Sequence, residues 1–231
     1  MVENNRHAEA LFRLIDGVPV IPVLQVERVD DAVPLAQALV AGGLPVLEVT
    51  LRSDSALAVI ERMARDVPNA VVGAGTVNDP SDYAAARDAG AQFAVSPGAT
   101  DALIDVASAE ALPWLPGAAT ASEVMRLRGA GYRFLKFFPA VAAGGRPALK
   151  ALGGPFADVR FCPTGGVKAN DFHAWLALGN VVCVGGSWLA PPSLVDAGDW
   201  EAIRAIARQA VDENGSEVGE EDPGAALEDL R

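Results

Sequence analysis

Eight short apolar runs punctuate the chain, at Val18–Leu24, Val46–Thr50, Val71–Gly73, Gln92–Ser96, Leu112–Pro116, Phe134–Phe138, Val159–Cys162 and Val181–Gly185. Runs this short, rich in Val and Phe and carrying at most one charge, are the pattern of parallel strands covered on both faces. Between them lie longer stretches with helical spacing and start signals. Ser53 precedes Leu57, Ile60 and Ala64; Asp79-Pro80 sets a cap before a proline at the first helical position; Thr120 and Glu123 form a capping box. Helix exits are expected at Gly42-Gly43, Gly90, Gly129 to Gly131 and Gly179, where a left-handed residue ends a helix and feeds the next strand.

Strand and helix alternating eight times predict a single α/β domain, a (β/α)8 barrel over residues 1–211, with an open doubly wound sheet as the competing arrangement. Residues 4–16 predict an extra N-terminal helix with Leu11, Leu14 and Ile15 on one side. From 212 the composition turns acidic and rich in turn residues, so residues 212–231 are expected to be a disordered tail.

Charge sharpens this picture. The formal net charge is -12, but residues 212–231 hold eight acids and one base, leaving 22 acids and 17 bases for the rest. No clustered positive charge suggests a nucleic acid or an anionic membrane as partner. No run approaches the roughly 20 apolar residues of a membrane span, and the start lacks a secretory pattern, so a cytoplasmic protein is expected. Cys162 and Cys183 lie in apolar runs without metal-ligand spacing and read as buried thiols. His7 and His173 are too scattered for a metal site, and His173 reads as a helix-packing residue.

In a barrel the chemistry collects at the carboxyl ends of the strands. There the chain places Glu48 with Arg52, Gly75-Thr76, Ser96-Pro97-Gly98, Lys136, Thr164-Gly165-Gly166 and Gly185-Gly186-Ser187. Lysine occurs only at 136, 150 and 168, and Lys150 and Lys168 sit in solvated sequence. Period-two alternation puts Phe134, Lys136 and Phe138 on one strand face and Leu135 and Phe137 on the other, both apolar. A lysine there either loses water and offers a free amine to a carbonyl, or pairs with a carboxylate, or reaches out of the barrel mouth.

Val46, Glu48 and Thr50 share a face, so Glu48 can pair with that lysine, shuttle its proton, or do both. Arg52, placed at the start of the following helix, is either a clamp for a substrate carboxylate or an ordinary surface arginine. Glycine pairs after the last two strands, the second followed by Ser187, suit a phosphate held by backbone N–H groups and a helix N-terminus; tight loops also demand glycine. Gly73-Ala-Gly75-Thr76 lacks the third glycine and downstream acid of a dinucleotide fingerprint.

Taken together, Gly43–Arg52, Val72–Thr76, Gly90–Gly98, Leu115–Gly117, Phe134–Pro139, Arg160–Gly166 and Gly185–Trp188 resemble the class I 2-keto-3-deoxy-6-phosphogluconate (KDPG) aldolases, many of which also cleave 4-hydroxy-2-oxoglutarate. The resemblance runs in order from about residue 18 to 190. It implies Lys136 as the Schiff-base lysine and Glu48 as the general acid/base. It further implies that Arg52, Thr76 and Pro97 shape the pyruvate-carboxylate end, that Phe138 lines the pocket, and that Gly165, Gly166, Gly186 and Ser187 hold the phosphate.

Thr164 matches the gluconate-type pattern rather than the galactonate one. The resemblance also implies a homotrimer acting on a phosphorylated keto-sugar acid and pyruvate, with no metal and no organic cofactor. The chain departs from the family in its tail and at 141–145, where relatives are more polar. A phosphosugar isomerase or epimerase, or a sugar-phosphate binder without turnover, are the competing functional expectations.

Overall fold

The computed structural model describes residues 5–217, with side chains from 9 to 212. The described residues form nine parallel strands and ten α-helices. The strands are β1 (Val20–Leu24), β2 (Val46–Thr50), β3 (Val71–Gly75), β4 (Phe93–Val95), β5 (Trp114–Leu115), β6 (Gly117–Ala118), β7 (Phe134–Phe137), β8 (Arg160–Pro163) and β9 (Val184–Gly186). The helices are α1 (Asn5–Leu14), α2 (Ala32–Ala41), α3 (Ala56–Asp66), α4 (Pro80–Asp88), α5 (Asp101–Ala109), α6 (Ala121–Gly129), α7 (Gly145–Gly153), α8 (Phe172–Leu176), α9 (Pro192–Ala197) and α10 (Trp200–Glu217).

The α/β class agrees with the hydrophobic pattern, but the closed eight-stranded barrel does not form. The strands make two ladders: a six-stranded sheet in the order β5-β4-β3-β2-β1-β9 and a three-stranded sheet in the order β6-β7-β8. Two prolines account for the break. The fifth apolar run ends at Pro116, which has no N–H to donate. The residues before it, β5, pair with β4, while those after it, β6, pair with β7.

At the other seam Phe161 bridges Val181 and Thr164 bridges Gly185, so three steps along one segment meet four along its neighbour. Register slips by one residue there, and Pro163 cannot donate across the slip. Only isolated bridges remain where a continuous ladder was expected.

Both faces of the strands are covered, as their composition demands. All five residues of β2 are buried, and Val59, Ile60 and Met63 of α3 form one buried face. Helix α1 buries Leu11, with Ile15 just beyond its end, and lays Phe12 on Phe134 at 5.0 Å between ring centroids. Gly42 ends α2 in close contact with α10, where an added methyl would meet Ala207 Cβ at 2.5 Å and the Arg204 carbonyl oxygen at 2.8 Å. Gly43, Gly90 and Gly131 adopt the left-handed conformation expected at helix exits, whereas Gly179 does not. Helix α10 continues to Glu217, past the boundary expected at 212; the rest of the acidic segment lies outside the described residues.

The caps form where the sequence places them. Asp79 accepts from the N–H groups of Ser81 and Asp82, and Thr120 and Glu123 form a reciprocal box at the start of α6. Burial raises the Glu123 carboxyl, but hydrogen bonds from the Ala119 N–H and from the Thr120 hydroxyl and N–H outweigh it and hold the group below its ordinary value. The carboxylate therefore adds stability that is complete above that ordinary value and fades as pH falls through the lower folded one. Thr120→Ala is expected to cost about 1 kcal/mol in urea unfolding at neutral pH. Glu123→Gln should flatten the acid limb of the stability profile. An unchanged acid limb in that variant would show that the box contributes nothing to it.

Candidate active site

The carboxyl ends of strands from both sheets border one pocket of about 350 Å³. Lys136 enters from β7, where its register neighbours are Gly117 on β6 and Cys162 on β8. Glu48 enters from β2, opposite Val23 on β1 and Gly73 on β3. The Lys136 Nζ donates to Glu48 Oε1 at 3.0 Å, and the two residues are 5% and 3% exposed. Of the alternatives open for this lysine, the structure shows the carboxylate-paired one, inside the pocket rather than reaching out of it. The Phe138 ring lies 5.3 Å from Nζ and covers one side of the amine.

Lys150 and Lys168 are exposed and do not line the pocket. Beneath the pair lie the two thiols, both free and buried. The Cys183 thiol is pushed well above its usual range, first by its hydrogen bond with Cys162, then by burial and by electrostatic interaction with Cys162 and Glu48. It stays protonated near neutrality and adds no charge to the floor of the site.

Ten of the eleven residues singled out from the sequence line this pocket: Lys136, Glu48, Arg52, Thr76, Pro97, Phe138, Thr164, Gly165, Gly166 and Ser187. Gly186 is the exception. Alternation along β9 turns Gly185 and Ser187 toward the pocket and Gly186 away from it, against the Trp188 ring. Arg52 does not start a helix, since α3 begins at Ala56; it stands in the loop after β2, exposed and without an ion-pair partner among the described residues. That loop is fixed by the Ser53 and Ser55 hydroxyls, which both donate to the Val26 carbonyl.

Thr76, at the end of β3, has φ 61°, a left-handed conformation that β-branched residues seldom adopt. The loop after β8 holds Gly165 and Gly166 at φ 99° and 86°, and among the described residues neither N–H donates to a backbone carbonyl. Two unengaged N–H groups on a pocket wall form a concavity that accepts anions. The helix N-terminus expected behind the second glycine pair is not there. After β9 the next helix, α9, starts at Pro192, and a proline brings no N–H.

Val23, Thr50, Val167 and Gly185 also line the pocket. Thr50 and Gly185 were within reach of period-two reasoning, because Thr50 shares a face with Glu48 and Gly185 with Ser187. Val23 and Val167 carry no polar signal that sequence reading could use.

A parallel α/β fold with a buried lysine–carboxylate pair at the carboxyl ends of its strands is an enzyme architecture, and comparison with known proteins narrows it. The sequence model of KDPG and KHG aldolase matches residues 13–206. The 2-dehydro-3-deoxy-phosphogluconate aldolase of Pseudoalteromonas atlantica is 52% identical over 193 residues, 84% of this chain and 90% of that protein. The KHG/KDPG aldolase of Escherichia coli is 50% identical over 194 residues, covering 84% and 91%. Among solved structures, KDPG aldolase from Legionella pneumophila, with pyruvate captured as a covalent carbinolamine intermediate, superposes with a TM-score of 0.84 at 44% identity, covering 85% of this chain and 96% of that one. The chain belongs to the KDPG and KHG aldolase family, a family of carbon–carbon lyases.

The strained backbone at Thr76 leads to a stability prediction. Such a conformation costs about 1–3 kcal/mol, which glycine avoids at the expense of a more flexible unfolded chain. Thr76→Gly is therefore expected to hold or raise the melting temperature, while Thr76→Val, which keeps the branch, should not raise it. A drop in Thr76→Gly as large as that of a core truncation would show that the threonine side chain, not its backbone, governs local stability.

Proposed function

We propose that this protein is a class I aldolase that cleaves 2-dehydro-3-deoxy-6-phosphogluconate to pyruvate and glyceraldehyde 3-phosphate. The observation that carries the reading is the buried Lys136–Glu48 pair, at 3.0 Å, in a chain of this family. A carboxylate at that distance is placed to take the ammonium proton and leave an amine. The amine attacks the C2 ketone, Glu48 returns the proton to the carbinolamine hydroxyl, and water leaves to give an iminium at C2, next to C3. Glu48, directly or through one water, then takes the C4 hydroxyl proton. The C3–C4 electron pair moves into the iminium, releasing the aldehyde and leaving an enamine on Lys136. Protonation at C3 and hydrolysis release pyruvate and restore the lysine.

Arg52, Thr76 and Pro97 surround the substrate carboxylate, with Arg52 supplying the charge. Phe138 and Thr164 flank the carbon chain. The Gly165 and Gly166 N–H groups and the Ser187 hydroxyl take the phosphate, far enough from the cleaved bond that its binding energy serves orientation. Gly186 shares that role by the resemblance, and its lack of a side chain leaves room for the Trp188 ring. The chemistry needs neither a metal nor an organic cofactor.

A second substrate, 4-hydroxy-2-oxoglutarate, yielding pyruvate and glyoxylate, is favoured by the E. coli relative, whose name carries both activities. Thr164 supports the gluconate configuration over its galactonate epimer. Assembly as a homotrimer is part of the proposal. Cytoplasmic residence is also proposed, supported by two thiols left unpaired; among the described residues no helix is long and apolar enough to cross a membrane.

Borohydride reduction with pyruvate, followed by peptide mass analysis, should place the adduct on Lys136. An isomerase, an epimerase or a passive binder gives no adduct, and an adduct on Lys150 or Lys168 would displace Lys136 from its role. Glu48→Gln should retain part of the trapping while losing about 100- to 10,000-fold in cleavage rate. Undiminished turnover in that variant would remove Glu48 from the mechanism.

A further inference from the structure

Glu48 reaches Lys136 by lying across the backbone of the next strand. In the β2–β3 ladder Thr50 stands opposite Gly75, and the Glu48 side chain leans over that glycine. A methyl group on Gly75 would fall 2.7 Å from Glu48 Cγ and 2.8 Å from its Cδ, and closer still to Oε1, the oxygen that accepts from Lys136. Ordinary contact between carbon atoms lies near ~3.5–4.0 Å. The Gly75 backbone is not left-handed, so an alanine suits its conformation and only space stands against it. Gly73, two residues earlier, answers to a different neighbour, the Phe93 ring.

We propose that Gly75 is a positioning residue for the aldol reaction: its missing side chain makes the slot that holds the Glu48 carboxylate against the Lys136 amine. The proposal rests on the reading of that pair as the reacting centre. In Gly75→Ala, turning the carboxylate alone does not clear the methyl group, because Cγ is obstructed as well. The side chain must change its first torsion, which carries Oε1 away from Nζ. The displaced group is the end of a flexible chain bordering an open pocket, so the change is felt in the geometry of the pair more than in the fold.

The experiment is a double-mutant cycle on the full chain with Gly75→Ala, Glu48→Ala and both together. Gly75→Ala is expected to keep borohydride trapping of pyruvate at Lys136 while losing about 100-fold or more in cleavage rate, mainly in kcat. On the Glu48→Ala background the atoms that the methyl group strikes are gone, so the second substitution should change activity and melting temperature by no more than about a twofold equivalent. Full activity in Gly75→Ala, or losses that multiply in the double variant, would overturn the proposal.

If Gly75→Ala does not fold, the double variant must fold as well as Glu48→Ala, and its failure to do so would also overturn it. The melting cycle tests the slot separately from the chemistry. A parent chain without imine formation or cleavage would remove the functional reading, whereas additive melting shifts would remove the slot.

Discussion

The hydrogen bond from Lys136 to Glu48 joins side chains from two sheets that share no continuous ladder, and each sheet supplies one end of it. Placing an ammonium and a carboxylate in a buried setting is costly unless each meets the other in good geometry. Much of the local architecture serves that condition. Lys136 has glycine and cysteine as register neighbours, and Glu48 has valine and glycine. No second charged group stands in the immediate ladder, and the thiol of Cys183 stays protonated. The carboxylate and the amine are left to answer chiefly to each other and to whatever enters the pocket.

The remaining charges follow a similar division of labour. Arginines on the outer helices pair with nearby acids, as Arg87 does with Glu110 and Arg128 with Asp158. These half-exposed pairs contribute little individually. Their effect is to occupy acidic side chains on the outside of an anionic protein. Arg52 has no such partner among the described residues and stands at the pocket edge, so its charge is available to a ligand. Overall charge thus says little about the field that a substrate meets here.

How much of this was legible in the sequence depends on the kind of signal. Period-two alternation found Lys136 and Glu48, because a charge in a doubly apolar strand stands out against its neighbours. The same rule, applied one step further along β9, separates Gly185 from Gly186. The resemblance points to Gly186 rather than Gly185 for the phosphate, and it carries no information on which glycine faces inward. Ser53 and Ser55 are both plausible helix starts in the sequence, and the helix begins after Ser55, which leaves Arg52 in the loop four residues ahead of it. Closure of the barrel was inferred from the count of apolar runs. Each run reads as one strand, yet a proline at the end of a run divides the pairing between the residues before and after it, and sequence alone does not show which partner each side takes. Valines that line the pocket give no sign, since valine is equally at home in a strand that lines nothing.

The paired left-handed glycines after β8 carry a consequence for how the pocket responds to its surroundings. A receptor made of peptide N–H groups has no protonation state to change across the range in which the protein stays folded. Its donors belong to the main chain, and what they require of positions 165 and 166 is the absence of a side chain. The wall that they form therefore keeps a constant character. Under the proposed function, grip on the phosphate is written largely in main chain and the chemistry in side chains, in different parts of the polypeptide.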